Sequence, residues 1–343
     1  MTLTFTRLRQ ESRSSATEWL HSKTIADSLH LRQPKAAIFN RVATYSLTNI
    51  KSTDMLVSKW SIDEAKDISV NTESIWKRQS KDSLQFICDV YRVEELPTSS
   101  AVVDFANNKV GGSCFRHNGF AQEEQMVAQS TDLAFLLRRR DWSDCDFLRP
   151  LEIISYEGVH FDAFWNREAA AEKEFLDTID IKHISSEPLV VLAAAAPSMR
   201  KYWSYDWRTL KQLAYTTRLI VVAATHLRCP CLYTGLLGGG AYRGNRPLII
   251  TLHCLCHDSD SPKMFMHIPI FASHSRNTIA QLQDALVQNA ECMLYVLKES
   301  GVTTMTQVID YALAWNLPTS HEDRDLHRID ARDLFAKMIR CGS

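Results

Sequence analysis

The chain has 343 residues, enough for one large α/β domain or two ordinary ones. Hydrophobic residues make up 45% and charged residues 23%, the balance of a soluble globular protein. The formal net charge of -1 supplies no global field that would draw nucleic acid or an anionic membrane, and no apolar run nears the ~20 residues of a membrane span. The longest, from Pro188 to Pro197, is short and bounded by proline at both ends. The opening MTLTFTRLRQESRSS lacks the apolar core of a secretory signal. Nine cysteines, an odd number scattered between Cys88 and Cys341, read as reduced thiols. The expected setting is therefore intracellular, cytoplasmic or nuclear, with delivery through a specialised secretion system as a further route.

In chain order, the first ~90 residues read as polar and helical, with amphipathic stretches at Ala16 to Leu31 and Ile62 to Gln79. Their sparse apolar positions predict that residues 1–85 are a helical extension docked on a core formed by 86–343. From Phe86 onward short apolar runs alternate with helical patterns. FICDVYRV, AVVDFAN, PLVVLAAAA, CPCLYTG and MFMHIPIF predict strands. Helices are expected at Gln122 to Arg140, Asp206 to Leu227, Pro247 to Cys256 and Thr278 to Ser300, and two more in the last forty residues. EIISYEGVHFDAF reads as a hairpin or inserted edge strand. Such alternation predicts one α/β domain with a mostly parallel sheet covered on both faces, and helical additions at each end. Ligands of these sheets sit beyond the carboxyl ends of the strands.

Two strand-to-helix junctions are rich in glycine and polar residues. In the first, Val102 and Val103 lead to Asp104 and Asn107 at a strand end. Gly111 and Gly112 then permit close approach of a ligand, and Gln122, Glu123 and Glu124 open a helix. Acidic residues in a first turn are ordinary, since they favour the positive end of the helix dipole. The surroundings make the triplet specific. VVDFANN, then VGGS, then eight residues, then QEE resembles the poly(ADP-ribose) glycohydrolases, in which an Asp-Phe-Ala-Asn-like strand end precedes three glycines and Gln-Glu-Glu. Ser113 stands here in place of the third glycine. MVAQSTDL and VVLAAAAPSMR are also similar to segments of the bacterial-type members, and the match spans roughly Ser100 to Asn245.

In the second junction, CPCLYTG is followed by Gly238, Gly239 and Gly240 and a helix, a setting in which backbone N–H groups can receive a diphosphate. Thr234, Gly235, Ala241 and Tyr242 reproduce the frame of the equivalent macrodomain and glycohydrolase loop. The resemblance implies a macrodomain-like three-layer α/β/α fold and hydrolysis of ADP-ribose linkages, poly- or mono-, on proteins. It assigns Glu124 as the acid that protonates the leaving oxygen and then activates water. Glu123 would hold the distal ribose with Asn107, and both glycine loops would cradle the diphosphate, with Asp104, Ser113, Gln122 and Ala241 also lining the substrate site. Tyr242 would stack on adenine or lie against ribose. The pKa of Glu124 is expected to rise through desolvation and its acidic neighbour, against the helix dipole. The reading includes no cofactor, metal, nucleic-acid specificity or membrane partner, and a monomer that binds ADP-ribose or ADP-ribosylated protein. The alternative is a macrodomain that reads ADP-ribose without cleaving it. HCLCH (His253 to His257) and CPC (Cys229 to Cys231) read as buried apolar cysteines rather than a zinc site, because Cys254 and Cys256 cannot face one another on a helix. The LLRRRD run ending at Asp141 reads as a solvated helix end, and His117 as a loop histidine.

Overall fold

The computed structural model describes residues 3–12, 14–15, 54–63, 66–70, 72, 83–87, 96–111, 122–137, 147–161, 163–164, 182–183, 187–199, 205–240, 242–268 and 276–317. Its strands are β1 (Leu3–Ser12), β2 (Asp54–Ile62), β3 (Leu84–Ile87), β4 (Ala101–Ala106), β5 (Glu152–Val159), β6 (Ala163–Phe164), β7 (Lys182–His183), β8 (Leu189–Ala195), β9 (Cys231–Gly235) and β10 (Lys263–His267). Its helices are α1 (Gln122–Gln129), α2 (Thr131–Leu137), α3 (Trp207–His226), α4 (Arg246–Cys256), α5 (Arg276–Glu299) and α6 (Met305–Trp315). One 8-stranded sheet has the order β1-β2-β5-β8-β4-β9-β10-β3, and β6 and β7 form a separate 2-stranded pair. From β8 to β3 the strands run parallel, whereas β1, β2, β5 and β8 pair antiparallel, each with its neighbour.

The expected α/β/α layering is present. One face of the sheet packs against α3 to α6 through residues such as Val103, Leu192, Leu219, Ile249 and Leu297. The other packs against α1 and α2 through Val102, Val191, Ile154, Val127 and Phe135. Strands buried on both faces read as continuous apolar runs, which is why LVVLAAA in β8 was legible. The long helices begin where their capping residues place them. Asp206 accepts from the N–H of Thr209 at 2.7 Å to start α3, and Asn245 accepts from Leu248 at 3.0 Å to start α4, with Pro247 in its first turn.

Three expectations are corrected. First, the long described stretches of 1–85 are strands: β1 and β2 form an antiparallel ribbon that extends the sheet. In β2, Met55 and Val57 pack into the core on one face of the sheet and Trp60 and Ile62 into the core on the other, and the buried Trp60 donates to Ser155 on β5 at 2.9 Å. Its pairing partner lies about a hundred residues away, so no local pattern announces it. Ala16 to Leu31, and most of Ile62 to Gln79, lie outside the described residues. Second, EIISYEGV is neither an edge nor a hairpin: β5 sits between β2 and β8. Third, the helix expected over Gln122 to Arg140 is interrupted. The Ser130 hydroxyl accepts from the Leu133 N–H at 3.1 Å and donates to the His160 carbonyl at 2.6 Å, starting a new helix at Thr131. Of the predicted strand FICDVYRV only the first residues, in β3, are described. Of the last forty residues α6 is described, with 318–343 outside.

The turn of β5 around its bulge depends on Gly158, whose φ is +77° and whose missing Cβ would lie 2.5 Å from the Asp54 carbonyl oxygen. Gly301, after α5, also has a positive φ of +66°, but nothing stands within 4 Å of its Cβ position. Gly158→Ala is expected to cost about 2–3 kcal/mol, and Gly301→Ala only about 1 kcal/mol. Denaturant unfolding of the two variants side by side checks this; equal losses would deny the backbone clash.

Candidate active site

β4 is paired with β8 along its whole length, but with β9 only at Ala101↔Leu232 and Val102↔Tyr233. Beyond Val102 the two strands part and leave a crevice at their carboxyl ends. The chain leaves β4 for α1, α2 and β5 on one side, and leaves β9 for α4 and β10 on the other. The crevice is thus a switch point of the kind where open α/β sheets bind ligands.

Helix α1 seals one wall. The Gln122 side chain accepts from the Phe105 N–H and donates to the Val103 carbonyl, each at 2.7 Å. These β4 groups would otherwise be left without a strand partner, at roughly 1–3 kcal/mol for each buried group. The next residue, Glu123, is 3% exposed, and its carboxylate accepts from the Gly111 N–H at 2.6 Å. Gly111 has φ +74°, and its Cβ position lies 3.0 Å from Leu137 Cβ. A side chain there would be strained by the backbone and crowded by α2. Glu123 therefore ties the loop after β4 to the start of α1. Glu124 is the third residue of α1; its side chain, with Gly112, Ser113, His117, Ala241 and the LLRRRD arginines, lies outside what is described.

Asp104 is fully buried on β4, and neither oxygen has a hydrogen-bond partner among the described residues. Burial, and secondarily the charge of Glu123, hold its carboxyl well above the usual aspartate value. Asp104 and Glu123 thus form a crowded acidic pair beneath the helix start, with the proton favoured on Asp104.

The opposite wall is the loop from Leu236 to Asn245. Gly239 donates to Leu236 at 2.7 Å, Gly244 to Gly238 at 2.8 Å and Arg243 to Gly240 at 3.0 Å, while Arg246 Nε donates to the Gly239 carbonyl at 3.1 Å. Gly238 and Gly240 are the amides of the triplet that these bonds do not use. Gly238 has φ +79°, and its Cβ position is 2.8 Å from Ala196 Cβ, so the loop after β8 leaves no room for a side chain. Gly240 is exposed, with nothing within 4 Å of its Cβ position. Tyr242 bridges the walls: its hydroxyl contacts the Asn107 side chain, and its carbonyl accepts from Met199 N–H at 2.8 Å.

The structure thus brings Asn107, Gly111, Gln122 and Glu123 to one wall, with Asp104 buried beneath it rather than facing the crevice as expected, and Gly238, Gly239, Gly240 and Tyr242 to the other. Sequence reading missed Tyr205, whose hydroxyl accepts from the Asn245 N–H at 2.5 Å and braces the loop. A partner forty residues away leaves no local signal. It also missed the break at Ser130, although Ser-Thr-Asp is a helix-start pattern. Behind the crevice, His253 Nδ1 lies 2.9 Å from the Ile249 carbonyl, and burial lowers the pKa of its ring to about 4. Cys254 and Cys256 are pushed up to about 12 by burial, so both are uncharged thiols near neutral pH. No group of His, Cys, Asp and Glu among the described residues could hold a metal ion, and no described helix is long and apolar enough to cross a membrane.

Fold and crevice together define a three-layer α/β protein with a strand-end site lined by acids on one side and glycines on the other. No family model matches the chain, and no curated protein matches it. Among its structural neighbours are bacterial poly(ADP-ribose) glycohydrolases. The chain is similar to the Thermomonospora curvata enzyme bound to the inhibitor ADP-HPD, at 16% identity over 63% of this chain and 83% of that one, with a TM-score of 0.40. It is similar also to the Deinococcus radiodurans enzyme in complex with ADP-ribose, at 16% identity over 61% and 86%, with a TM-score of 0.41. The residues of the two junctions, rather than these likenesses, carry the functional reading.

Asp104 has a consequence for stability. Its folded pKa lies above its ordinary value of 3.8. The contribution of the protonated carboxyl is therefore fully present below that value and lost as pH rises toward the folded pKa. Asp104→Asn, which cannot ionise, is expected to be more stable than the parent at pH 7. The gain should shrink as pH falls toward 4. Denaturant melts at both pH values test this, and a variant less stable than the parent at pH 7 would mean that Asp104 is ionised and satisfied.

Proposed function

We propose that the protein is an ADP-ribosyl glycohydrolase, acting on poly- or mono-ADP-ribose attached to protein, with Glu124 as acid and base. The observation that carries this reading is the convergence of the two glycine junctions. Asn107, from the motif ending in Gln-Glu-Glu, and Tyr242, from the loop more than a hundred residues later, meet across one crevice. Nothing in a generic α/β scaffold requires both to be at the same strand ends.

Cleaving the glycosidic bond of a ribose requires a proton on the leaving oxygen and water at the anomeric carbon, through an oxocarbenium-like transition state. Glu123 and Glu124 cannot flank the bond as two independent carboxylates, because helix neighbours point about 100° apart. Their roles are unequal. Glu123 is buried and bound to Gly111, which suits it to hold the loop and the distal ribose beside Asn107. Glu124 is left to deliver the proton to the leaving oxygen and then to take one from water. The Gly238 and Gly240 amides, on the other wall, suit the diphosphate. A protonated Asp104 keeps a second negative charge from accumulating beside Glu123.

Glu124→Gln is expected to lower turnover of ADP-ribosylated protein by at least ~100-fold, the usual scale for losing a general acid. ADP-ribose should still raise the melting temperature of that variant, as a ligand of the folded state does. Chelation should leave the parent rate unchanged. A rate within a few-fold of the parent would remove Glu124 from the mechanism, and a parent that binds ADP-ribose but releases nothing from any substrate would make the protein a reader.

Tyr242 separates contact from packing. Tyr242→Ala is expected to weaken ADP-ribose binding by ~1–3 kcal/mol, the range for losing an aromatic contact with a base, with little change in melting temperature because the side chain is only half-buried. Tyr242→Phe keeps the ring and loses only the link to Asn107, so its affinity should stay close to the parent's. Calorimetry on both variants decides; loss of stability in the Ala variant with normal affinity would make Tyr242 a packing residue.

A further inference from the structure

We infer that Gln122 is a positioning residue rather than a ligand for the nucleotide: its side-chain amide replaces one residue of a missing parallel strand, holding the crevice open and the acid pair in register with β4. The kinetic part of this inference rests on the glycohydrolase reading above; the structural part does not.

The geometry follows from the strand register. The Val190 N–H donates to the Ser100 carbonyl, so the even-numbered backbone groups of β4 face β8 and the odd-numbered ones face β9. Val103 C=O and Phe105 N–H therefore point toward β9. In a parallel ladder these two groups, one on each side of Asp104, bond to the N–H and C=O of a single opposite residue. Continuing the register from Ala101↔Leu232 and Val102↔Tyr233 would make that residue Gly235. The β4–β9 pairing stops before reaching it, at Val102↔Tyr233, although Gly235 keeps its pairing with His267 on β10, and the Phe105 ring lies against Gly235, 3.1 Å from its Cβ position. β9 has parted from β4, and the Gln122 amide occupies the vacated bonding position, with its acceptor on Phe105 and its donor on Val103.

A primary amide is the side-chain group that matches a backbone peptide here, since it carries a donor and an acceptor side by side in one plane. A carboxylate lacks the donor, and a thioether of similar length has no donor and only a weak acceptor. The amide nitrogen also lies 3.1 Å from Met126 Sδ, one turn along α1. Its oxygen and nitrogen are thus committed to the sheet and the helix. Because Gln122 immediately precedes Glu123 and Glu124, the clasp sets where α1 begins over β4. The Glu123 bond to Gly111 is a second fastening one residue on. Removing the clasp frees the first turn to shift, and displacement of a reacting group by about 1 Å can cost up to ~100-fold in rate.

The test uses the full chain with Gln122→Met and Gln122→Glu. In the Met variant the Phe105 amide should exchange with solvent faster than in the parent, whatever the substrate. On an ADP-ribosylated polymerase substrate kcat should fall about tenfold or more while KM and the Kd for ADP-ribose stay within about threefold, the pattern of a lost transition-state alignment. The Glu variant, read relative to the parent at each pH, should be impaired near neutrality and recover as pH falls through the carboxyl range near ~4.3, where the protonated acid regains a donor. If the Met variant does not fold, that recovery in the Glu variant carries the decision. Raised KM and Kd with unchanged kcat would make Gln122 a ligand contact and overturn the proposal, as would unchanged Phe105 exchange or a Glu variant without acid recovery. A parent inactive on every substrate, with Phe105 exchange still responding to Gln122→Met, would overturn the glycohydrolase reading and leave the clasp standing.

Discussion

When two neighbouring strands of a buried sheet part, the backbone groups between them must find new partners or be hydrated, and the parting of β4 from β9 sets that requirement here. The pairing ends at Val102↔Tyr233, and the first side chain to meet the exposed edge is Gln122. The start of α1, the place of Glu123 and the path of the loop through Gly111 all follow from that attachment. On the far side, β9 is free to stay with β10 and deliver the glycine loop. A closed ladder at this point would leave no crevice.

The electrostatics of the site follow from the same crowding. Asp104 lies between the two backbone groups that Gln122 engages, so it cannot reach water, and Glu123 is the next residue along α1. Burying two carboxylates side by side is unfavourable unless one is bonded and the other protonated. Glu123 has the Gly111 N–H, and Asp104 is held well above the ordinary aspartate range. Such an arrangement weakens the fold.

The rest of the sheet gives this site a rigid support. The β1–β2 ribbon covers the antiparallel side of β5, with Trp60 buried and bonded to Ser155. On the other face, Ser130 and Asp132 fasten the α1–α2 junction to the end of β5. The hydroxyl of Ser130 reaches the His160 carbonyl, and the carboxylate of Asp132 accepts from the His160 N–H at 3.0 Å. The helix that carries the acid pair is thereby attached to the sheet at both ends, at Gln122 and at Ser130.

Much of this was legible in the amino-acid sequence because it is locally encoded. The apolar runs of β4, β8 and β9, the capping residues Asp206 and Asn245, and the glycines at positions of positive φ each act over a few residues. The resemblance of VVDFANN through Gln-Glu-Glu marked the first junction, and the Thr234-Gly235 to Ala241-Tyr242 frame marked the second, each on a local basis. Long-range pairing was not legible. β2 becomes a strand because β5 offers it an edge, β1 then adds to the free edge of β2, and EIISYEGV lies inside the sheet because β2 covers it. The sequence by itself determined which residues could serve as acids, glycine turns and strand cores. Only the tertiary structure decided that Tyr242 meets Asn107, that Asp104 shares a buried space with Glu123, and that Gln122 serves β4, because each depends on where β9 leaves its neighbour, and that is a property of the whole sheet.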